Sequence, residues 1–475
     1  MPAAGVHVSP FSGSWYPAAA SELRSLLGRL FAESERRTGR CVTPRTSGFV
    51  VPHAGLVYSG TVAAAAYRHL RVEEPKRVVV LGFSHHGAAP GAWIPDVSAL
   101  GTPLGEVAVD CAFSAALAEG GEFGTKSEDV LCDHSVEIQL PLLQFSAPAA
   151  SVVPVYVSRM THESRAAAAR KLSSLLGPET VVIASSDFTH YGRGFSYQPF
   201  PADENAGERL RDIDEGAIDA AGTLCADQFL AELRATGSTV CGFEPISLLL
   251  ETLRLAGREE EIFQTTLDYQ TSGEITGDYT HSVSYAALGY FPYRALELGP
   301  EDQRLLVASA RATLVHYLET GERRPIPPQG GSPALERHAA AFVTLTSQGD
   351  LRGCVGRKAS TEPLATLVPS LTLAAALEDT RFAPIRRGEA DLELEVSVLT
   401  PMKRIASLDE FRVNEHGALL EAGFNHGLLL PQVATERNWT ARQFLDALAR
   451  KAGAGRDAYR DPSARVYVFR AQIIR

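Results

Sequence analysis

Histidine, cysteine and aspartate recur in this sequence where short apolar runs stop. Residues 48–52 (GFVVP) lead into His53-Ala54-Gly55, residues 77–82 (RVVVLG) into Ser84-His85-His86-Gly87, and residues 180–184 (TVVIA) into Ser185-Ser186-Asp187-Phe188-Thr189-His190. Two further groups stand apart from the apolar runs. Asp133-His134-Ser135-Val136-Glu137 opens a helical stretch with Asp133 or Ser135 as its cap, and Cys241-Gly242-Phe243-Glu244-Pro245 immediately precedes a helix beginning near Ile246. A thiol just before a helix N-terminus is favoured as thiolate, the form that binds metals. Two neutral imidazoles with one thiolate leave coordination positions open, as a catalytic rather than a structural site does. Sulfur combined with imidazole suits iron, copper or zinc over magnesium or calcium. A lone histidine at a strand end is ordinarily a satisfied polar residue, and His86 and His281 are read that way. Cys111 and Cys225, among alanines and leucines, are read as core packing.

For these residues to meet, the apolar runs must be neighbouring strands. Residues 48–52, 77–82, 151–157 (SVVPVYV) and 180–184 are rich in β-branched residues and too short for helices. Helical stretches at 21–31, 61–70, 164–176 and 246–255 separate or follow them, and residues 283–290 (VSYAALGY) close the half. Near-continuous apolar strands between helices predict an α/β sandwich, a largely parallel sheet flanked by helices on both faces. Ligands of such sheets bind at the carboxyl ends of the strands, so the three polar endings converge without any local motif.

The composition shifts at residues 291–300 (FPYRALELGP), which hold two prolines and no sustained period. This divides the chain into a domain at 1–293 and a second at 301–475. The second half predicts helices at 301–318, 361–379 and 440–451, strands at 341–346, 392–399, 427–430 and 464–469, and a surface loop at 321–333 (GERRPIPPQGGSP). Glu393, Glu395 and Ser397 alternate with Leu394, Val396 and Val398, the period of a sheet wet on one face. A smaller α+β domain with an antiparallel sheet follows. In it, Leu351-Arg352-Gly353-Cys354-Val355-Gly356 follows a strand and turn, and two glycines around a cysteine permit tight backbone geometry and close ligand approach. Cys354 is then either buried in a structural turn or a nucleophilic or redox thiol aided by Arg352.

With 475 residues the chain is long enough for two or three domains, and 45% hydrophobic with 21% charged residues is the balance of a globular protein. The net charge of -11 argues against a nucleic-acid footprint, which needs a basic face. Six cysteines without CxxC spacing predict a reducing, cytoplasmic setting rather than a disulfide framework. Neither a signal peptide nor an apolar run of membrane-spanning length is read in the sequence.

VPHAG (51–55), LGFSHH (81–86), DHSVEIQLP (133–141), SSDFTHYG (185–192), CGFEPI (241–246) and SVSYAALGYF (282–291) resemble the successive motifs of the Memo family, in the family's order and over nearly all of the first half. The resemblance implies a fold like that of class III extradiol dioxygenases. It implies His53, His85 and Cys241 as metal ligands, with Asp187 and His190 beside them and His134 and Glu137 lining the same cavity. Extradiol dioxygenases hold iron with two histidines and a carboxylate; here the third ligand would be sulfur, so ring cleavage does not carry over. His190 is assigned as acid/base, since imidazole exchanges protons near neutral pH, with Asp187 fixing its tautomer. FVTL (342–345), LRGCVG (351–356), AALEDTRFAP (375–384), LELEVSVLTP (392–401), GLLLPQVATERNW (427–439) and FLDALARKAG (444–453) are similar to the AMMECR family. Cys354, Arg381 and Glu395 are expected to face a shared cleft. Memo-like and AMMECR-like domains accompany a radical S-adenosylmethionine protein in the AmmeMemoRadiSam grouping, so the resemblance implies such a partner.

The leading expectation is a metal-dependent redox enzyme or redox partner, its metal iron or copper, its substrate a small molecule or peptide. A zinc-dependent hydrolase with His190 as base is the second. A non-catalytic module that recognises a peptide or protein in the same cleft is the third.

Overall fold

The computed structural model describes residues 5–475 apart from 41, 42, 44, 86, 88, 258, 259 and 390. His86 and Cys41 therefore lie outside the described residues. The chain divides into two compact units, one running to Ala295 and the other from Leu296 to Arg475.

In the first unit, Gly48–Val51, Thr180–Ser185, Arg77–Gly82 and Ser151–Val157 lie side by side in that order and run parallel. Nearly every residue in them is buried. Valine and isoleucine suit them because both faces of a parallel sheet are covered by helices. The Ala-rich helix Leu56–Glu73 buries residues 62–70 without interruption. Phe243–Ala256 packs with His162–Leu175, the latter capped by the Thr161 hydroxyl accepting from Ser164 N–H.

The sheet is mixed rather than largely parallel. Ile262–Thr271 and His281–Pro292 pair antiparallel and join Gly48–Val51 on one side, and Ala92–Pro95 adds antiparallel to Ser151–Val157 on the other. The sequence pattern hides Ile262–Thr271 (IFQTTLDYQT) because an outer antiparallel strand needs only part of its surface apolar, and this one is only partly buried. A separate three-stranded sheet, Gly5–Val8, Val97–Thr102 and Gly105–Ala108, was likewise not expected.

The second unit begins with the helix Pro300–Thr320 and holds two antiparallel four-stranded sheets where one was expected. The first orders Asp350–Arg357, Ala341–Ser347, Leu392–Leu399 and Ala471–Ile474. The second orders Lys403–Arg404, Arg465–Phe469, Gly417–Ala422 and Asn425–Leu429. The expected loop at 321–333 is mostly exposed and free of helix and strand up to residue 332. Among the described residues no helix is long and apolar enough to cross a membrane. Cys111, Cys132, Cys225, Cys241 and Cys354 are free, and Cys111 is exposed rather than core because it opens the helix Cys111–Ala118 on its solvent side.

LRGCVG is not a turn but most of the strand Asp350–Arg357. Its glycines serve close packing. A Cβ on Gly353 would lie 2.1 Å from the Ala375 carbonyl oxygen of the helix Leu364–Leu377, which is backbone and has no rotamer with which to yield. Gly353→Ala should therefore destabilise the second unit by about 1–3 kcal/mol, the usual cost of overpacking. A denaturant titration of the full chain checks it; an unchanged midpoint for that unit's transition would show that helix and strand can separate freely.

Candidate metal centre

Three adjacent parallel strands end at one edge of the sheet, and the loops leaving them carry the expected residues. His53 follows Gly48–Val51, Asp187 follows Thr180–Ser185, and His85 follows Arg77–Gly82. The short helix His134–Glu137 adds His134, and Cys241 enters just ahead of Phe243–Ala256. Glycine at 242 lets this last segment reach the edge: a Cβ there would sit 2.5 Å from Ser186 Cβ and 2.6 Å from the Ser185 carbonyl oxygen, and the Gly242 N–H donates to Ser186 Oγ at 2.9 Å.

Potential metal donors fall into two overlapping groups. His53, His85 and His134 present ring nitrogens within 4.8 Å of one another; His53, Asp187 and Cys241 do the same with nitrogen, carboxylate and sulfur. His53 belongs to both. Its Nε2 lies 3.3 Å from Cys241 Sγ, and its Nδ1 pairs with Ser185 Oγ at 3.1 Å. The expected set of His53, His85 and Cys241 is thus divided between the two groups, and His134, expected only to line the cavity, stands among the imidazoles. The His85 and His134 rings stack at 4.1 Å, with Trp15 4.2 Å from His134 on another side.

His53 and His85 are tethered through Nδ1. His85 Nδ1 lies 2.9 Å and His134 Nδ1 3.3 Å from Asp133 Oδ1. Asp133 also accepts the His85 N–H at 3.0 Å and caps the helix by accepting the Ser135 N–H. With the His85 Nδ1–H donated to Asp133 and the His53 Nδ1–H to Ser185, Nε2 of these two rings is left with its lone pair outward, the arrangement by which outer partners orient metal-binding histidines. The donor chemistry therefore fits a transition metal. Glu244 does not join it: its Oε1 accepts the Met160 N–H at 3.2 Å.

Burial, with the neighbouring His85 charge second, pushes His53 down to about 3, and burial does the same to His134. Both are neutral and metal-competent at physiological pH. Burial acts to raise Asp133, but the hydrogen bond from His85 and the charge of His134 outweigh it and hold the carboxyl well below the usual range. Cys241 runs against the sequence expectation. Burial first and the Asp187 charge second push its thiol well up, and the hydrogen bonds near the helix N-terminus do not compensate.

Asp187 accepts the His53 and Ala54 N–H groups at 2.8 and 3.2 Å. Its expected role toward His190 is taken by backbone: His190 Nδ1 meets the Phe188 and Thr239 carbonyls at 3.0 and 3.2 Å. A carbonyl only accepts, so Nδ1 carries a hydrogen and Nε2 is the nitrogen left for proton exchange. Glu137 points instead to His7. Two contributors escaped the sequence reading. Asp133 was read only as a cap, although a carboxylate beside His134 was the available signal; Trp15 gave none, because it reaches His134 only through tertiary folding.

In the second unit, a cavity of about 450 Å³ is lined by Cys354, Asp379, Arg381 and Lys451. Cys354 N–H donates to Asp379 Oδ2 at 2.8 Å, Thr344 Oγ1 donates to Cys354 Sγ at 3.3 Å, and Arg381 bridges Asp379 and the Cys354 carbonyl. Arg352 is drawn away to Glu389. Glu395 lines a different hollow, of about 920 Å³, where Arg475 and Gln432 engage it, so the expected shared cleft holds Cys354 and Arg381 without it.

These protonation states separate the two donor groups. If Cys241 is a ligand, metal binding must expel the thiol proton, and affinity should rise about tenfold per pH unit between pH 6 and 8. In Cys241→Ser, which has no thiol proton to expel, any residual binding should lack that tenfold-per-unit rise. Competition titrations with a chromophoric chelator measure both; a flat wild-type profile would remove Cys241 from the ligand set.

Residues 9–289 match the Memo-like protein family and residues 307–474 the AMMECR1 family. A MEMO1 family protein of Thermoplasma acidophilum is 32% identical over 280 residues, which are 58% of this chain and 96% of that one. The memo-1 homolog of Caenorhabditis elegans is 30% identical over 285 residues, 58% of this chain and 80% of that protein. A protein of Methanothermobacter thermautotrophicus is 38% identical over 183 residues, 37% of this chain and 95% of its own. The chain therefore belongs to the Memo-like family and joins an AMMECR1 domain to it.

Proposed function

We propose that this chain is a metal-dependent redox protein or oxidoreductase whose centre is built on His53, with His85, His134 and Cys241 as the further donors. The carrying observation is the 3.3 Å approach of Cys241 Sγ to His53 Nε2 at the edge of the three-imidazole group. A half-buried sulfur beside imidazoles favours iron or copper, and either metal would supply one-electron exchange there. His53 and His85 position through their tethered Nδ1 atoms. His190 Nε2 takes up or releases a proton, its ring held by the Phe188 and Thr239 carbonyls. Asp187 fixes the backbone of His53 and Ala54. In this reading the protein works in the cytoplasm with a radical S-adenosylmethionine protein of the AmmeMemoRadiSam system, on a substrate whose chemistry the donors do not define. Cys354 in the AMMECR1 domain is a second reactive group, a thiol at the wall of a cavity that also holds Arg381 and Lys451.

One observation favours a second reading. Three imidazoles within 4.8 Å of one another are also a donor set of catalytic zinc, which would make the protein a hydrolase with His190 as base.

Elemental analysis of anaerobically purified protein decides between them. The expected result is near-stoichiometric iron or copper, lost in His53→Ala and Cys241→Ser; stoichiometric zinc would promote the hydrolase. Absence of metal, with none taken up on reconstitution, overturns both. His190→Ala should retain the metal but abolish the pH dependence of its reduction potential, about 59 mV per pH unit for one electron and one proton. Voltammetry of the two proteins checks this, and an unaltered slope in the variant would remove His190 from proton transfer.

A further inference from the structure

The segment 132–137 presents chemistry in two directions. Asp133 and His134 serve the centre just described. Cys132 and Glu137 instead meet His7, which stands on Gly5–Val8 in the three-stranded sheet. The ring nitrogen of His7, the sulfur of Cys132 and a carboxylate oxygen of Glu137 lie within 4.8 Å of one another, and His7 Nε2 is 3.1 Å from Glu137 Oε1.

An ion pair between His7 and Glu137 accounts for only part of this arrangement. The Glu137 side chain is 1% exposed, yet its second oxygen, Oε2, is buried without a hydrogen-bond partner. A buried carboxylate oxygen without a protein donor is an unmet acceptor, and native structures leave few of these. A cation would meet it. The surroundings are suited to one: Glu128 and Asp129 bring negative charge to both His7 and Cys132, and the Tyr156 hydroxyl, which accepts the Asp133 N–H at 3.2 Å, hydrogen-bonds Cys132. A hydroxyl donated to a ligating sulfur is the kind of outer contact that orients metal ligands.

We propose that His7, Cys132 and Glu137 form a second metal site, separate from the centre at His53, for a divalent cation of the zinc class. Imidazole, sulfur and carboxylate together suit a borderline ion of tetrahedral habit, and three protein ligands leave the fourth position to water or substrate. Binding replaces the Cys132 proton with the metal and releases it to solvent.

The test uses the full chain, stripped with a chelator and titrated with cobalt(II), whose thiolate charge-transfer absorption reports sulfur ligation, and with zinc in competition. Wild type is expected to bind two equivalents. The double variant His53→Ala/Cys241→Ser should keep one, with thiolate absorption intact. Adding His7→Ala to that double variant should weaken the remaining equivalent at least tenfold, and adding Cys132→Ser should abolish its thiolate absorption. A double variant that binds no metal, or one whose remaining equivalent is indifferent to His7→Ala, overturns the proposal. His7→Ala, on a partly exposed strand, decides the question if Cys132→Ser prevents folding, which circular dichroism of each variant monitors. Because the double variant removes only the first centre, failure of the redox reading and failure of this site are read separately.

Discussion

Asp133 is inaccessible to solvent, so its carboxylate must find all its compensation inside the protein. It does so by accepting from the His85 backbone and ring and the Ser135 N–H, with the His134 ring nitrogen 3.3 Å away. Each of those bonds fixes a piece of the candidate centre. The His85 loop is held against the helix His134–Glu137, two rings are aligned in a stack, and the His85 Nδ1 is committed, leaving its Nε2 for a metal. Without the carboxylate, the exposed His85 ring and the half-buried His134 ring would sit close together without that partner to orient them.

The same burial acts differently on each donor. It keeps His53 and His134 neutral, which suits coordination, and it keeps the Cys241 thiol protonated, which opposes it until a cation displaces the proton. Beside the buried His53, the site admits an ion that can exchange for the Cys241 thiol proton. Glycine at 242 is the steric condition for this, since any side chain there would hold the cysteine off the sheet edge.

The second unit uses its glycines in a related way. LRGCVG lies flat as a strand under a helix, with Cys354 pinned through its backbone by Asp379, which Arg381 in turn holds. The Arg381 hydrogen bonds, with those from the Cys354 and Arg381 backbone, keep Asp379 well below the usual carboxylate range against burial. Here too an acidic residue organises the site by accepting from backbone and cation at once.

Much of this was legible in the sequence, and for a physical reason. A buried parallel strand must be apolar along its whole length, so Arg77–Gly82 and Ser151–Val157 announced themselves to the residue, and the polar residues that end such runs marked the sheet edge. The family motifs in order carried the two-domain assignment. Sequence was silent where the determinants are contacts rather than patterns. Ile262–Thr271 and Gly5–Val8 pair through backbone hydrogen bonds that any residue can make, and neither carries a strong apolar period. Which donors share a shell was decided by tertiary structure alone: His134 entered beside His85 next to Asp133, while Cys241 joined His53 in a second group with Asp187. Residue types set what chemistry is available, but distances of a few ångströms between loops far apart in the chain set which of it is used.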